Sequence, residues 1–360
     1  MIKARCFKRI ILSIAVFLAC GSPFTLSQAD EISQIRAAIQ LKGADWQAAE
    51  TSMTRLSPEE RKARLGLIKP AGFITGAEVL LPAPPPVTGP ASFDWRSNNG
   101  NFGTPLRDQS SCGSCWAFAA TAALESATLI TNNTPGTDLN LSEQVLISCG
   151  DAGSCGGGSI NEASDYIHDV GLPLESCYPY TATNGNCANA CSTYQTSTYR
   201  IASWSWVATT APTVDAIRNA LYTYGPLITT MVVYTDFFSY GGGVYVRTSG
   251  DEEGGHAILI VGYDDVGQYF IAKNSWGTDW GESGYFRIAY SQLSTVVNFG
   301  DYTIAYSGGT CICSISPSSR SLGASSGSGS INVICGESCN WTVTSNNAWI
   351  TITAGSSGTG

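Results

Sequence analysis

Two cysteines three positions apart lie where a loop of glycine and serine residues meets an apolar segment, in the sequence QSSCGSCWAF at 109–118. Residues 116–130, WAFAATAALESATLI, are apolar on almost every side, which predicts a helix buried through the centre of a domain. The free N–H groups and the dipole at a helix N-terminus stabilise an anion. Cys115 is therefore predicted to form a thiolate, the nucleophile of a covalent reaction.

A thiolate that attacks a substrate needs a neighbouring group that holds and returns its proton, and the chain has only two histidines. His256 follows a pair of glycines, where a glycine turn is expected to deliver it to the start of an apolar strand. His168 lies at the predicted end of a helix, where a solvated or capping histidine is the simpler interpretation. In KNSWG at 273–277, the amide of Asn274 can accept a hydrogen bond from the imidazole, and Trp276 can shield that bond from water.

Each of these residues also has a plainer interpretation. A Cys-x-x-Cys pair at the start of a helix is the pattern of a thioredoxin-like redox dithiol, or of half a zinc site. Taken alone, His256 would be a satisfied core histidine and Asn274 a turn residue. The zinc interpretation lacks a second cysteine pair with suitable histidines. The redox interpretation leaves Gln109, His256 and Asn274 without a role.

Composition narrows the classes of function. The chain has 360 residues, more than one ordinary domain of about 100–200 residues, so more than one folding unit is expected. An apolar content of 43% excludes wholesale disorder. The 19 basic and 28 acidic residues give a net charge of −9, which phosphate backbones repel. Nucleic acid is therefore not expected as a partner.

The N-terminus predicts export. Residues 1–29 have the pattern of a signal peptide, with a basic start and an apolar run at 10–19 that is too short for a membrane span of about 20 residues. We expect cleavage after Ala29 and a secreted protein without a membrane span, located outside the cell, in the periplasm or at the cell surface. Of 13 cysteines, Cys6 and Cys20 would leave with this peptide. Ten of the remaining 11 can pair outside the cytosol, and one stays free.

Residues 30–90 differ from the rest of the chain. Residues 30–69 hold 13 of the 47 charged residues, and Ile32, Ile35 and Ile39 recur at helical spacing. The sequence SPEE at 57–60 supplies an N-cap, a proline at the first helical position and a capping-box glutamate. Two short helices are predicted, followed by a proline-rich linker at 71–90. The segment is either a small helical subdomain or a propeptide that is released by a cut in the linker.

The later part of the catalytic region predicts strands. Five β-prone runs are broken by glycine or aspartate pairs, as in an antiparallel sheet or barrel. They cover residues 226–234, 243–247, 257–263, 269–273 and 284–289.

The ordered set of motifs resembles the papain family of cysteine peptidases. The main matches are QSSCGSCWAF at 109–118, GGHAILIVGYDD at 254–265 and KNSWGTDWGESGYFRI at 273–288. Supporting matches are FDWR at 93–96, LSEQ at 141–144, CGGG at 155–158 and YPY at 178–180. The resemblance covers residues 91–306. It implies an α+β, two-domain fold with a helical left half, an antiparallel β-barrel-like right half and an active-site cleft between them.

The resemblance also implies roles for individual residues. Cys115 would be the nucleophile, His256 the base and acid, and Asn274 the orienting amide, while the Gln109 side chain and the Cys115 N–H would form the oxyanion hole. Extended substrates would bind at Gly157, Gly158, Gly255 and Trp276. Protein or peptide substrates and the chain's own prosegment, as inhibitor, are the implied partners, with no metal or organic cofactor. The implied activity is that of an endopeptidase made as a zymogen. A non-catalytic binding protein that keeps the fold remains an alternative.

The resemblance implies two disulfide bonds, Cys112–Cys155 and Cys149–Cys187. A third bond, Cys177–Cys191, has no counterpart in papain and is inferred from the cysteines that remain. Cys115 is then the one free thiol of the catalytic unit.

Two departures from the family pattern bear on specificity and regulation. The prosegment lacks the long helical signature of papain-type propeptides and resembles the short prosegments of secreted bacterial relatives, which leaves open whether it runs backwards through the cleft.

The pocket for the residue two before the scissile bond would be formed by Gly158, Ile160, Thr230 and Gly255. These residues are small or apolar, so an apolar substrate side chain is expected there.

Residues 310–360 are predicted to be a separate module. Their short alternating strands resemble the opening half of a BACON-type β-sandwich, a module linked with carbohydrate or mucin-like surfaces. The three or four expected strands are too few for a sandwich of about seven. A low-complexity secreted tail is the alternative. Four cysteines, Cys311, Cys313, Cys335 and Cys339, allow three pairings, and the sequence does not choose among them.

Overall fold

The computed structural model describes residues 28–69, 89–311, 313–321, 327–335 and 339–359. The α-helices are α1 Gln28–Lys42, α2 Pro58–Lys62, α3 Cys115–Asn132, α4 Glu143–Cys149, α5 Ile160–Asp169 and α6 Val214–Tyr224. The strands are β1 Gln47–Ala48, β2 Ser92–Asp94, β3 Gly153–Ser154, β4 Gly157–Gly158, β5 Ser203–Ala208, β6 Leu227–Tyr234, β7 Tyr240–Gly242, β8 Val244–Tyr245, β9 Glu252–Asp264, β10 Tyr269–Lys273, β11 Tyr285–Ala289, β12 Thr303–Ser307, β13 Cys313–Ser316, β14 Asn332–Cys335, β15 Asn340–Thr342 and β16 Ser357–Thr359. Short 3-10 helices cover Glu175–Cys177, Cys187–Asn189, Thr235–Ser239 and Tyr290–Ser294.

The two short helices predicted near the N-terminus are present. Helix α1 buries Ile32, Ile35 and Ile39, the residues at helical spacing. Helix α2 begins with the predicted capping box, in which the Ser57 hydroxyl accepts from the Glu60 N–H and the Glu60 carboxylate accepts from the Ser57 N–H. Residues 1–27 of the predicted signal peptide and most of the proline-rich linker lie outside the described residues, while Gln28 and Ala29 begin α1. No helix in the described part of the chain is long and apolar enough to cross a membrane.

Helix α3 is the buried central helix that the sequence predicts. Nearly all of its 18 residues are buried, because it is surrounded by the other helices of its half and by the sheet. It begins at Cys115 and ends before Asn133, which has the left-handed conformation that stops helices (φ 49°). The helix therefore carries the predicted nucleophile into the boundary between the two halves of the molecule.

The β-rich half is built on an eight-stranded sheet in the order β5-β12-β6-β9-β10-β11-β8, with β2 also paired to β9. All five predicted β-prone runs contribute strands to it. The neighbouring strands are antiparallel, as the sequence predicts, except for the short edge pair of β11 and β8, which is parallel. Strand β9 lies at the centre and carries His256, and β10 ends one residue before Asn274.

The predicted glycine turn before His256 is wrong. Gly254 and Gly255 lie inside β9, which pairs with β6 from Glu252 onward. The glycines allow another segment to approach the strand closely, since a Cβ atom on Gly255 would lie 3.2 Å from the side chain of Leu67. The prosegment therefore packs directly on the backbone of β9, which has no side chains at these two positions.

The C-terminal part forms two separate two-stranded sheets, β13-β14 and β15-β16, in the described residues. Of the three cysteine pairings that the sequence allows, the structure contains Cys311–Cys339 and Cys313–Cys335. The second bond joins residues that face each other in the β13-β14 ladder.

Candidate active site

The chain brings His256 and Asn274 together through the pairing of β9 with β10. Lys273, the last residue of β10, is opposite Leu259, which places Asn274 beside the part of β9 that holds His256. The Nε2 atom of His256 lies 2.7 Å from Oδ1 of Asn274. Because Oδ1 also accepts from the Ser275 N–H at 2.8 Å, the amide oxygen faces the ring, and Nε2 must carry the proton. Nδ1 is therefore the nitrogen left to exchange a proton with a nucleophile.

The thiol of Cys115 lies against the same strand. The N–H of Ala257, the residue after His256, points at Cys115 Sγ at 3.5 Å. His256 Nδ1 has no hydrogen-bond partner within the described residues. The Trp276 ring covers the imidazole, with the ring centroids 4.7 Å apart, and is itself fully buried. The predicted nucleophile, base, orienting amide and shielding indole are thus assembled in one site.

Gln109 is held in a fixed orientation at the start of the loop before α3. Its Oε1 accepts from the Ser275 hydroxyl at 2.6 Å, so its Nε2 must face the other way. Nε2 donates to the carbonyl oxygens of Cys112 and Arg64, each at 2.8 Å. An amide donor beside the thiol therefore already holds the carbonyl of a peptide segment.

That segment leaves the turn after α2 at Arg64, and its residues 66–68 cross the cleft in extended form. The Gly158 N–H donates to Gly66 O at 2.8 Å, and the Ile68 N–H donates to Gly158 O at 2.9 Å. The Leu67 N–H donates to Gly255 O at 3.2 Å. Leu67 pairs with Gly158 in the parallel direction. The glycines expected to bind extended substrates therefore contact an extended segment of this chain.

Burial changes the protonation expected of the nucleophile. Sequence reasoning predicted a thiolate at the helix N-terminus, but burial raises the pKa of Cys115 above its usual value, although N–H groups of Ala257, Gly66 and Trp116 oppose this effect. Burial also lowers the pKa of His256 to about 4. Both shifts favour the neutral thiol and the neutral imidazole while the site is covered, so the predicted thiolate-imidazolium pair is expected only when water reaches the cleft.

The three cysteine pairs expected in the catalytic region are those that the structure contains: Cys112–Cys155, Cys149–Cys187 and Cys177–Cys191. Cys115 is the free cysteine among the described residues. Because Cys112 is bonded to Cys155, it does not form a redox pair with Cys115. His168 has the solvated position predicted for it, at the end of α5 with its Nδ1 2.7 Å from Asp169 Oδ1.

Sequence reasoning missed three contributors to the site. Ser275 orients both amides, Gln109 and Asn274, and its place directly after Asn274 is the signal that could have found it. The carbonyl oxygen of Arg64 accepts a hydrogen bond from the Gln109 side-chain amide, and no pattern in the sequence near Arg64 indicates this contact. The hydroxyl of Tyr180, in the YPY motif, donates to the backbone oxygen of Gln109 at 2.6 Å.

Comparison with known proteins identifies the class to which this fold and site belong. Residues 89–303 match the family described as papain family cysteine protease, and the chain belongs to that family. It is therefore a cysteine peptidase, a hydrolase with the α+β papain-like fold.

Several relatives carry cathepsin names. The chain is 36% identical over 238 residues to "Cathepsin B-like CP3" of Giardia intestinalis, covering 62% of this chain and 77% of the relative. It is similar in structure to the digestive procathepsin L2 proteinase of Tenebrio molitor, with a TM-score of 0.63, 31% identity and coverage of 78% and 90%. A procathepsin B of Trypanosoma congolense gives a TM-score of 0.65 at 25% identity, with coverage of 76% and 97%. These two structures are of proenzymes, as their names state.

The low pKa of His256 predicts an acid-dependent loss of stability. His256 takes up a proton near pH 6.5 when unfolded but only near pH 4 when buried, so between these values the unfolded state binds more protons. The free energy of unfolding should therefore fall as the pH falls through this window, by about 3 kcal/mol in total. Urea unfolding of the full-length Cys115→Ala protein at pH 7 and pH 4 measures this change.

The matched control is the same protein with His256→Asn added. Glu125 and Glu143, whose pKa values burial raises, titrate in both proteins, so their contributions cancel in the comparison. We expect the free energy of unfolding to fall less between pH 7 and pH 4 in the protein without His256. An equal loss in both proteins would contradict a neutral, buried His256.

Proposed function

We propose that this protein is an exported cysteine endopeptidase, made as a zymogen, that hydrolyses peptide bonds through Cys115, His256 and Asn274. One observation carries the proposal: a segment of this chain fills the cleft beside the buried thiol of Cys115, with the Arg64 carbonyl oxygen 2.8 Å from Gln109 Nε2 and residues 66–68 extended along Gly158 and Gly255. A substrate peptide in the same cleft would present its scissile carbonyl to the same amide.

The chemistry follows from the atoms at this site. His256 Nδ1 takes the proton of the Cys115 thiol, and the sulfur attacks the carbonyl carbon of the substrate. The negative charge that develops on the carbonyl oxygen is stabilised by Gln109 Nε2 and the Cys115 N–H. The imidazolium then protonates the leaving amine, the C–N bond breaks, and water hydrolyses the thioester. Asn274 holds the ring in the tautomer that these steps need.

The proposal includes the prosegment as an inhibitor of this site. Its Arg64 carbonyl takes the Gln109 donor, and its Gly66–Ile68 backbone takes the hydrogen bonds of Gly158 and Gly255. Leu67 runs parallel to Gly158, which supports the backwards path that the sequence left open. A substrate would run in the opposite direction. Release of the segment returns water to the cleft and allows the thiolate-imidazolium pair to form.

Leu67 also supports the apolar preference expected for the residue two before the scissile bond. Its side chain lies 3.2 Å from the point that a Cβ atom on Gly255 would occupy, and its backbone bridges Gly158 and Gly255. Ile160, two residues after Gly158, is buried. We propose that a substrate leucine takes the place of the Leu67 side chain.

A pair of fluorogenic peptides tests the activity and this preference together. After activation of the full chain, the peptide with leucine two before the scissile bond should be cleaved at least about tenfold more efficiently than the same peptide with aspartate, because an unpaired carboxylate would be buried among apolar groups. Cys115→Ala should cleave neither. Insulin reduction without peptide cleavage would favour the dithiol alternative, and neither activity would favour the non-catalytic binding protein.

Export and the C-terminal module belong to the same proposal. The five disulfide bonds of the described residues support an oxidising compartment. The resemblance of the prosegment to the secreted bacterial type rests on its short helices, while the relatives reported above are eukaryotic. We propose that residues 310–360 are part of a BACON-like module that binds surface glycans, which is supported by the exposure of Trp349 (77%). Retention on immobilised mucin that is lost in Trp349→Ala would support glycan binding, and equal retention would contradict it.

A further inference from the structure

Tyr180 connects two points of the loop that carries the reacting groups, although the chemistry above gives it no role. Its hydroxyl lies 2.6 Å from the backbone oxygen of Gln109 and 2.8 Å from the hydroxyl of Ser114. A carbonyl only accepts, so the Tyr180 proton goes to Gln109 and the Ser114 hydroxyl is the donor to Tyr180. One phenol oxygen therefore joins the two ends of the loop 109–114.

Those two ends hold the parts of the oxyanion hole. Gln109 supplies the side-chain donor, and Ser114 precedes Cys115, whose backbone N–H is the second donor. Between them, Ser110 has a left-handed conformation (φ 49°) and Cys112 is bonded to Cys155. The disulfide bond fixes the middle of the loop, and Tyr180 fixes the distance between its ends.

The side chain of Ser114 does not cap α3, which supports a role for its hydroxyl in holding Tyr180. Ser114 is the N-cap residue of α3, where a serine side chain ordinarily accepts a hydrogen bond from the first turn, yet its hydroxyl makes no such bond. Its hydroxyl is directed to Tyr180 instead. The Ala117 N–H donates to the Ser114 carbonyl oxygen, and the N–H groups of Cys115 and Trp116 remain directed to negative charge at the thiol and on the substrate oxygen.

The ring of Tyr180 is itself held in place. It packs edge-on against Phe118 of α3, with centroids 4.9 Å apart, and its backbone N–H donates to Glu175 Oε1 at 2.7 Å. Burial raises the pKa of Tyr180, so the hydroxyl keeps its proton. The phenol is thus a fixed support for the loop.

We propose that Tyr180 is a positioning residue whose hydroxyl sets the spacing between Gln109 and the first turn of α3, and thereby the geometry of the oxyanion hole. The inference rests on the function proposed above, because it assumes that these donors stabilise a transition state. Such a residue affects kcat and leaves substrate binding unchanged.

The test is Tyr180→Phe in the full chain after activation, with kcat expressed per thiol titrated by an epoxide inhibitor. This change removes one oxygen and keeps the ring against Phe118. We expect kcat to fall about tenfold, a fraction of the loss that misplacement of reacting groups can cause, while KM changes less than about twofold. Tyr178→Phe is the matched control, since within the described residues the Tyr178 hydroxyl bonds only to the backbone of Asn186. Its kcat should match that of the unaltered enzyme.

A double-mutant cycle separates positioning from general destabilisation. In a Gln109→Ala background the donor is already absent, so adding Tyr180→Phe should lower kcat by less than about twofold. Should Tyr180→Phe fail to fold, Ser114→Ala removes the other half of the connection and should lower kcat with KM unchanged. Full kcat in the Tyr180 or Ser114 variant, or equal losses in both backgrounds, would overturn the inference. Failure of the proposed function would instead appear as full activity in Cys115→Ala.

Discussion

The full chain with His256→Ala, once activated, is expected to lose at least about 10⁴-fold in kcat, while His168→Ala keeps the kcat of the unaltered enzyme. His256 is fully buried, bonded to Asn274 and adjacent in sequence to the N–H that reaches the thiol. Its removal leaves no group to take the proton of Cys115 or to protonate the leaving amine. His168 is exposed and contacts only Asp169 by hydrogen bond among the described residues.

The two histidines make a closely matched comparison, because the chain has no others. Initial rates on a fluorogenic peptide measure the effect, and circular dichroism verifies that both variants fold. A His256→Ala enzyme within about tenfold of the unaltered kcat would remove the imidazole from the mechanism. A large loss in His168→Ala would mean that the wrong histidine has been assigned.

The second large effect is expected in the prosegment, where Gly66→Ala should expose the thiol of the unprocessed chain. A Cβ atom on Gly66 would overlap the carbonyl group of Gly113, so the segment cannot keep its place in the cleft. Overpacking of this kind costs about 1–3 kcal/mol, which corresponds to a rise of about 5- to 150-fold in the rate at which an epoxide inhibitor labels Cys115. The labelling rate of full-length protein, followed by mass spectrometry, is the measurement.

Gly43→Ala is the control for this prediction. Gly43 lies in the same prosegment, just after α1, and a Cβ atom there meets nothing within 4 Å. Its left-handed conformation (φ 62°) makes alanine locally unfavourable without touching the cleft. Faster labelling in Gly43→Ala would show that any weakening of the prosegment frees the thiol. Unchanged labelling in Gly66→Ala would contradict the tight contact with Gly113.

Local patterns in the sequence predicted the elements that carry the site. The apolar run after Cys115 is long enough to specify the buried helix α3, and SPEE at 57–60 specifies the start of α2. The Cys177–Cys191 bond could be inferred because few cysteines remained once the family pairs were assigned. These features depend on neighbouring residues or on simple counting, which a sequence displays directly.

The features that sequence reasoning missed depend on contacts between distant parts of the chain. A glycine pair is compatible with both a turn and a close approach, and only the pairing with β6 and the contact of Leu67 with Gly255 decide between them. The raised pKa of the Cys115 thiol results from burial, which depends on how distant parts of the chain pack around it. Tyr180 lies 71 positions from Gln109, so its hydrogen bond has no local signature. The pairing of the four C-terminal cysteines was equally undetermined.

The central claim is that one thiol, Cys115, performs the hydrolysis. The most direct test is to treat the activated enzyme with an epoxide inhibitor and follow, in the same samples, peptide cleavage and the mass of each cysteine-containing peptide without reduction. We predict that activity falls in proportion to a single adduct on Cys115, with Cys112 and Cys155 still joined. Cleavage that persists after Cys115 is fully labelled, or inactivation that accompanies an adduct on Cys112, would contradict the claim.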